Sequence, residues 1–450
     1  MIDMTRGKLL PKLARYALPL MLSALLQQCY TVADGLIIGR LLGPDAFAAV
    51  GSAAQLNVFP LNMLLGLSIG FGVPLAQRFG AEDGEGYLRC FGQSMVLMMT
   101  AGLLLMLSGV CCAGPLLAAL NTPAELYGFA QRYLLALWCG LPACALLNIL
   151  AAALRAVGDS RTPFMALLAS AVINIVLDFI CILWLQMNVE GAALATVLSQ
   201  LTGAIWCLRR VWSTRSIKPT RRHFQLQKPV VRELLRLGIP QMLCHGVTAT
   251  GELAVQAAVN AHGTSFVTGM IASRRYFSLM NVVGNGLEGA LATFVGQNTG
   301  ADNVRRIRAG VRVTLTTGLI AAAAMACIIM VQAEPMILVF LPNGEAEAIR
   351  TGVEALRVEA IFLVFLYLLC EVRAAIQGMG NAVIPMLSGF LVLILRFTVV
   401  LTAPHWLGRA GLYFTDGAAW APTAAMLIVS YCVMIRRREK KQLVSDKNAA

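Results

Sequence analysis

At 450 residues, 58% of them hydrophobic and only 13% charged, with a mean hydropathy of +0.72, the chain has too few charged side chains to be a soluble domain of its size. Its formal net charge of +13 would suit a nucleic-acid partner, yet the basic residues collect in alternate loops between apolar runs, which is a topological pattern and excludes a nucleic-acid face. The 12 cysteines include no CxxC pair and fall largely inside apolar runs, so they read as small buried side chains and not as a disulfide framework.

About 20 apolar residues cross a bilayer as a helix, and on that measure twelve spans are expected. The first six are Leu13–Leu42, Ala46–Phe79, Cys90–Leu120, Ala124–Val157, Pro163–Met187 and Gly191–Trp212. The second six are Leu234–His262, Phe266–Asn298, Val311–Val331, Ile349–Met379, Ile384–Trp406 and Gly411–Ile435. Loops on one side carry Arg6, Lys8, Lys12 and Arg15, then Arg78 and Arg89, the basic stretch Arg209 to Arg236, Arg305 to Arg312, and the tail from Arg436. The positive-inside rule places that side, and both termini, in the cytoplasm of a multi-pass protein of the inner (plasma) membrane. Membrane lipids are then its expected neighbours, with anionic headgroups beside the basic loops. The basic stretch holds no GxxxxGK[ST] loop, so the energy for any transport would come from ion gradients or a partner.

The two halves repeat. Arg15-Tyr-Ala-Leu-Pro19 is echoed by Arg236-Leu-Gly-Ile-Pro240, Ala76-Gln77-Arg-Phe-Gly80-Ala81 by Gly296-Gln297-Asn-Thr-Gly300-Ala301, and Gly158-Asp159-Ser-Arg-Thr-Pro163 by Gly380-Asn381-Ala-Val-Ile-Pro385. Three echoes in order at one period imply two six-helix bundles. Six spans is an even number, so the halves enter from the same side and are related by a pseudo-twofold axis along the membrane normal. The expected fold is an all-α polytopic membrane protein divided into 1–212, a cytoplasmic basic linker 213–232, 233–435 and a cytoplasmic tail 436–450.

An ionisable group at membrane depth is costly and usually marks a functional path. Asp34 lies roughly 12 Å inside the outer end of the first span, and Asp178 roughly 22 Å along the fifth from its inner end. Thr196 lies about 9 Å into the sixth span from the outside. Asn174 precedes Asp178 by four and shares its helix face. Four oxygen-bearing side chains at one level suit H⁺ or Na⁺; the same four could also serve as a hydrogen-bond cluster tying three helices together. Tyr30 and Gln27, one and two turns before Asp34, would line the same cavity. Pro19 removes a backbone hydrogen bond and permits a hinge in the first span. In the second half Glu252 and Glu288 are intramembrane acids, either facing a substrate cavity or paired with one of Arg274, Arg275, Arg373 and Arg396. The four histidines have no metal-ligand spacing, and no HExxH, GxSxG or paired catalytic aspartates occur, so neither a metal site nor an enzyme is expected.

These motifs together resemble the multidrug and toxic compound extrusion (MATE) family of cation-coupled efflux transporters. The resemblance rests on Pro19…Asp34, Ala76-Gln77…Gly80-Ala81 and Arg155-Ala-Val-Gly158-Asp159…Pro163 in the first half. Phe294-Val295-Gly296-Gln297-Asn298…Gly300-Ala301 and Gln377-Gly378-Met-Gly380-Asn381…Pro385 carry it in the second. It implies a cation site on Asp34, Asn174, Asp178 and Thr196, and a helix bend at Pro19 linked to protonation. It implies an antiporter that exports amphipathic, often cationic organic compounds by alternating access, with H⁺ or Na⁺ as coupling ion, no other cofactor, and a monomeric state. The alternative is a flippase for a lipid-linked saccharide from the same broad superfamily. The chain departs from the family at Thr248, where many members carry an acid, with Glu252 one turn later. It departs again at Val392, which replaces the usual acidic partner of Arg396; Glu371 or a backbone carbonyl then stand as candidate partners.

Overall fold

Long runs of Leu, Ala, Val and Ile can satisfy their backbone in an apolar medium only by coiling or by closing a barrel. The computed structural model describes residues 2–119, 124–342 and 344–449, and among them it contains no strand. Thirteen α-helices are described: α1 Leu9–Leu41, α2 Pro44–Gly80, α3 Gly84–Ala119, α4 Ala124–Cys139, α5 Leu141–Ala156, α6 Arg161–Phe179 and α7 Val189–Ser213, then α8 Lys228–Asn260, α9 Thr264–Gly300, α10 Val304–Phe340, α11 Ala346–Gly378, α12 Val383–Leu407 and α13 Thr415–Ala449. Helices α4 and α5 are the two arms of one expected span, bent by 43° at Gly140, where Pro142 in the first turn of α5 cannot donate to the preceding turn. Counted as one, they bring the described helices to twelve, the number of spans expected from the sequence; seven segments, or eight with this bent pair, are long and apolar enough to cross a membrane.

The repeat is visible in element length and in backbone conformation. Helices α1 and α8 each have 33 residues, and α2 and α9 each have 37. Left-handed residues recur in register: Gly43 (φ 90°) with Gly263 (φ 88°), Glu82 (φ 57°) with Asp302 (φ 49°), and Gly158 (φ 78°) with Gly380 (φ 83°). At Gly158 a side chain would also run into the backbone of Ile2, so the turn after α5 requires glycine twice over. The halves differ in polarity. α8, α9 and α11 are longer than a bilayer needs but are not among the segments both long and apolar enough to cross one, and charges such as Glu252, Arg274 and Glu371 lie within them.

The chain packs as two compact units, one of Met1–Asp3 with Leu22–Gly246, the other of Met4–Met21 with Val247–Ala450. Their boundaries fall inside α1 and α8, shortly after Pro19 and Pro240, and not at the ends of the basic linker. The linker is folded onto the first unit. The Gln227 amide donates to Gln93 Oε1 at 2.9 Å, buried His223 lies 3.4 Å from Glu85, and Arg78 grips Glu233 through both nitrogens at 3.2 and 2.7 Å. Those bonds carry the start of α8 with it.

At the start of α6, buried Asp159 accepts from the Thr162 amide at 3.0 Å, from the Thr162 hydroxyl at 2.8 Å and from Arg210 Nε at 3.3 Å. Burial alone would raise this carboxyl, but the Thr162 and Arg210 donors outweigh it and hold the group below the ordinary carboxylate range. A lowered folded value means that the stabilisation is complete above about pH 4 and fades as pH falls through that value. Asp159→Ala is expected to remove about 1 kcal/mol at pH 7. Thermal unfolding in detergent should show this gap narrowing below about pH 4.

Candidate functional site

Three helices of the first unit bring the predicted residues together. α1 contributes Tyr30 and Asp34, α6 contributes Asn174 and Asp178, and α7 contributes Thr196. Asn174 and Asp178 are fully buried, one helical turn apart on the same face. With its amide oriented to match its neighbours, Asn174 donates from Nδ2 to Asp178 Oδ2 at 3.1 Å, and its oxygen accepts from the Thr196 amide at 3.2 Å. The Thr196 hydroxyl donates to the Ala192 carbonyl at 3.1 Å, which leaves the Tyr30 hydroxyl as the donor to Thr196 Oγ1 across 3.3 Å. Tyr30 is thereby aimed, and Thr196 is spent as a donor.

The acids are the unfinished part of this network. The Asp34 and Asp178 carboxyl groups lie within hydrogen-bonding range of each other. Oδ1 of Asp34 and Oδ1 of Asp178 are both buried with no hydrogen-bond partner. Two carboxylates face to face are acceptors only and repel unless something positive is shared between them. A proton or a small hard cation meets that need.

Three features of this site lie beyond the sequence reading. Buried Tyr133 on α4 lies near Asp34, Tyr30 and Asp178. Cys181 is buried one turn beyond Asp178. Immediately after α6 the helix widens into a π-turn, Ile180–Trp184, a distortion that often marks functional positions in helices. Gln27, two turns before Asp34, has an exposed side chain, and its carbonyl accepts from Thr31 Oγ1 one turn later. Pro19 lies within an unbroken α1, two residues before the chain passes from the second unit to the first.

The second unit holds its own polar groups. Glu288 pairs with Arg373 at 3.2 Å, the arginine partnership that had stood as the alternative to a cavity role. Arg396 is buried and does not pair with Glu371. Its Nε lies 2.7 Å from Asp416 Oδ1, and its Nη1 donates to the Thr248 carbonyl at 3.5 Å. The expected carbonyl is present. The acidic partner, however, comes from the start of α13, the next helix, and not from Glu371 on α11. Asp416 also lies 3.8 Å from Arg274, and exposed Glu252 is within electrostatic range of all three. Ser273 donates to Glu359 Oε2 at 3.0 Å. Glu371 is buried with neither carboxyl oxygen hydrogen-bonded, its Oε1 packed on Gly318.

This fold defines a polytopic helical membrane protein with a cluster of oxygen-bearing side chains enclosed by the helices of its first unit. The MatE family model matches residues 19–180 and 246–402, and the chain belongs to that family. It is 28% identical over 438 residues to the probable multidrug resistance protein YpnP of Bacillus subtilis, covering 95% of this chain and 96% of the relative. It is 26% identical over 396 residues to the probable multidrug resistance protein NorM of Thermotoga maritima, covering 84% and 82%. Among solved structures it resembles MATE in the bent conformation, with a TM-score of 0.90 at 23% identity over 97% of this chain and 98% of that one. An outward-facing multidrug resistance MATE transporter of the MOP superfamily matches equally well, with a TM-score of 0.90 at 23% identity over 98% of each chain.

Proposed function

We propose that this chain is a cation-coupled antiporter of the plasma membrane that exports amphipathic, often cationic organic compounds by alternating access. The observation that carries the coupling is the Asp34–Asp178 pair, two adjacent carboxyl groups with buried oxygens that lack donors. The export reading leans on the relatives, which are described as multidrug resistance or multidrug export proteins. None of those names favours the lipid-linked saccharide flippase. In this reading Asp34, Asp178, Asn174 and Thr196 hold H⁺ or Na⁺, Tyr30 orients Thr196, and Pro19 lets α1 respond to the charge state of Asp34. Glu252, an exposed acid of the second unit, meets cationic substrate. Glu288 keeps Arg373 neutralised. The protein works as a monomer and uses no cofactor besides the coupling ion.

Substrate binding to purified protein tests the coupling. Affinity for a cationic dye is expected to fall as pH drops or as Na⁺ rises, and that dependence should vanish when Asp34→Asn and Asp178→Asn are combined. An unchanged dependence in the double variant would place coupling elsewhere.

Orientation is tested on the two ends of α7, which are separated by 25 residues of helix, about 37 Å. In a cysteine-free background, Lys218→Cys should be labelled only from the cytoplasm and Gln186→Cys only from outside. Labelling of position 218 from outside reverses the topology.

A further inference from the structure

The outer surface of α7 changes character along its length. Leu194, Leu198, Leu201 and Ile205 are each more than a third exposed, and their alternating spacing of four and three puts them in one stripe. One turn on, the same face becomes basic at Arg209 and ends on the exposed indole of Trp212. There the helix borders a cleft of about 790 Å³ lined by Trp206, Arg209, Arg210, Trp212, Lys218 and Thr162.

Three cations converge on this cleft. Arg210 is fixed from behind by buried Asp159, whose other bonds cap α6. Arg209 and Lys218 make no ion pair among the described residues, so the cleft keeps a net positive charge. Trp206 and Trp212, both more than a third exposed, stand beside them at the end of an apolar stripe, as amphipathic rings do where hydrocarbon meets headgroups.

We propose that this cleft is a binding site for an anionic phospholipid. Arg209 and Lys218 hold its phosphate, Arg210 closes the cleft against Asp159, and the acyl chains lie along the Leu194–Ile205 stripe. A free phosphate would satisfy the cations but make no use of the stripe or the indoles. The basic end of α7 is where anionic headgroups are expected from charge distribution, and each basic residue near such a surface strengthens binding roughly fivefold.

The test is native mass spectrometry of the full-length protein in detergent, titrated with phosphatidylglycerol or with phosphatidylcholine of the same acyl chains. Phosphatidylglycerol should be retained at least tenfold better. Arg209→Gln with Lys218→Gln should lower that retention by roughly 25-fold, two charges at about fivefold each, while lipid-free thermal midpoints stay equal. Trp206→Ala, which leaves every charge in place, should weaken both lipids. Equal retention of the two lipids overturns the proposal, as does a double variant that binds phosphatidylglycerol like wild type. Displacement of phosphatidylglycerol by millimolar inorganic phosphate also overturns it, because the acyl stripe would then contribute nothing.

Discussion

Asp34→Asn is expected to reduce gradient-driven efflux in inverted vesicles to the background of vesicles lacking the protein, with expression and fold retained. The substitution keeps side-chain size and removes one of the two carboxyl groups that share the enclosed space in the first unit. Asn brings its own donor, so the repulsion between Asp34 and Asp178 that calls in a cation disappears. Losing one charged partner at such a site weakens ion binding by about 2–5 kcal/mol, roughly 30-fold or more. Thr196→Val and Tyr30→Phe should act differently. Tyr30→Phe removes one neutral hydrogen bond worth about 1 kcal/mol, and Thr196→Val removes two, the Thr196 donation to the Ala192 carbonyl and the bond it accepts from Tyr30. Their transport should be slowed and still respond to the imposed gradient. Wild-type-like coupled transport by Asp34→Asn would remove the proposed ion site outright.

The residues that could be found from sequence share a property: their signal is local. Asp34 and Asp178 declare themselves by being charged where neighbours are apolar, and Asn174 by its four-residue spacing from Asp178. The repeat was legible because turns after helices need glycine at left-handed positions, and Gly158 and Gly380 keep that need in both halves. Tyr133 gave no such signal. A tyrosine in an apolar helix is usual, and its approach to Asp34 depends on how α4 packs. The π-turn after Asp178 has no sequence signature at all. Unit boundaries were also hidden, since the basic linker looks like a tether but is bound to α3 through His223 and Gln227.

Asp416 was missed for a physical reason that also makes it the most consequential acid in the second unit. With Val at position 392, the sequence offers Glu371 on α11 or a backbone carbonyl as partner for Arg396, whereas the chain supplies an acid across a 3₁₀ turn, Gly408–Phe414, at the start of α13. Asp416 lies 2.7 Å from Arg396 and 3.8 Å from Arg274, so one carboxylate serves two cations. Asp416→Asn would leave Arg396, only 6% exposed, with the Thr248 carbonyl and no close anion. Removing one member of a buried pair typically destabilises by about 3–5 kcal/mol. For a unit of this size that corresponds to a thermal midpoint lower by about 10 °C. Replacing both members with apolar side chains, Arg396→Met with Asp416→Leu, leaves Arg274 without its acid but strands no charge as deeply, so most of the lost stability should return. Efflux by that stable double variant then separates two roles. Activity near wild type would mean that the pair only neutralises Arg396. Loss of activity in a well-folded protein would mean that the charge field around exposed Glu252 is part of how cationic substrate is held.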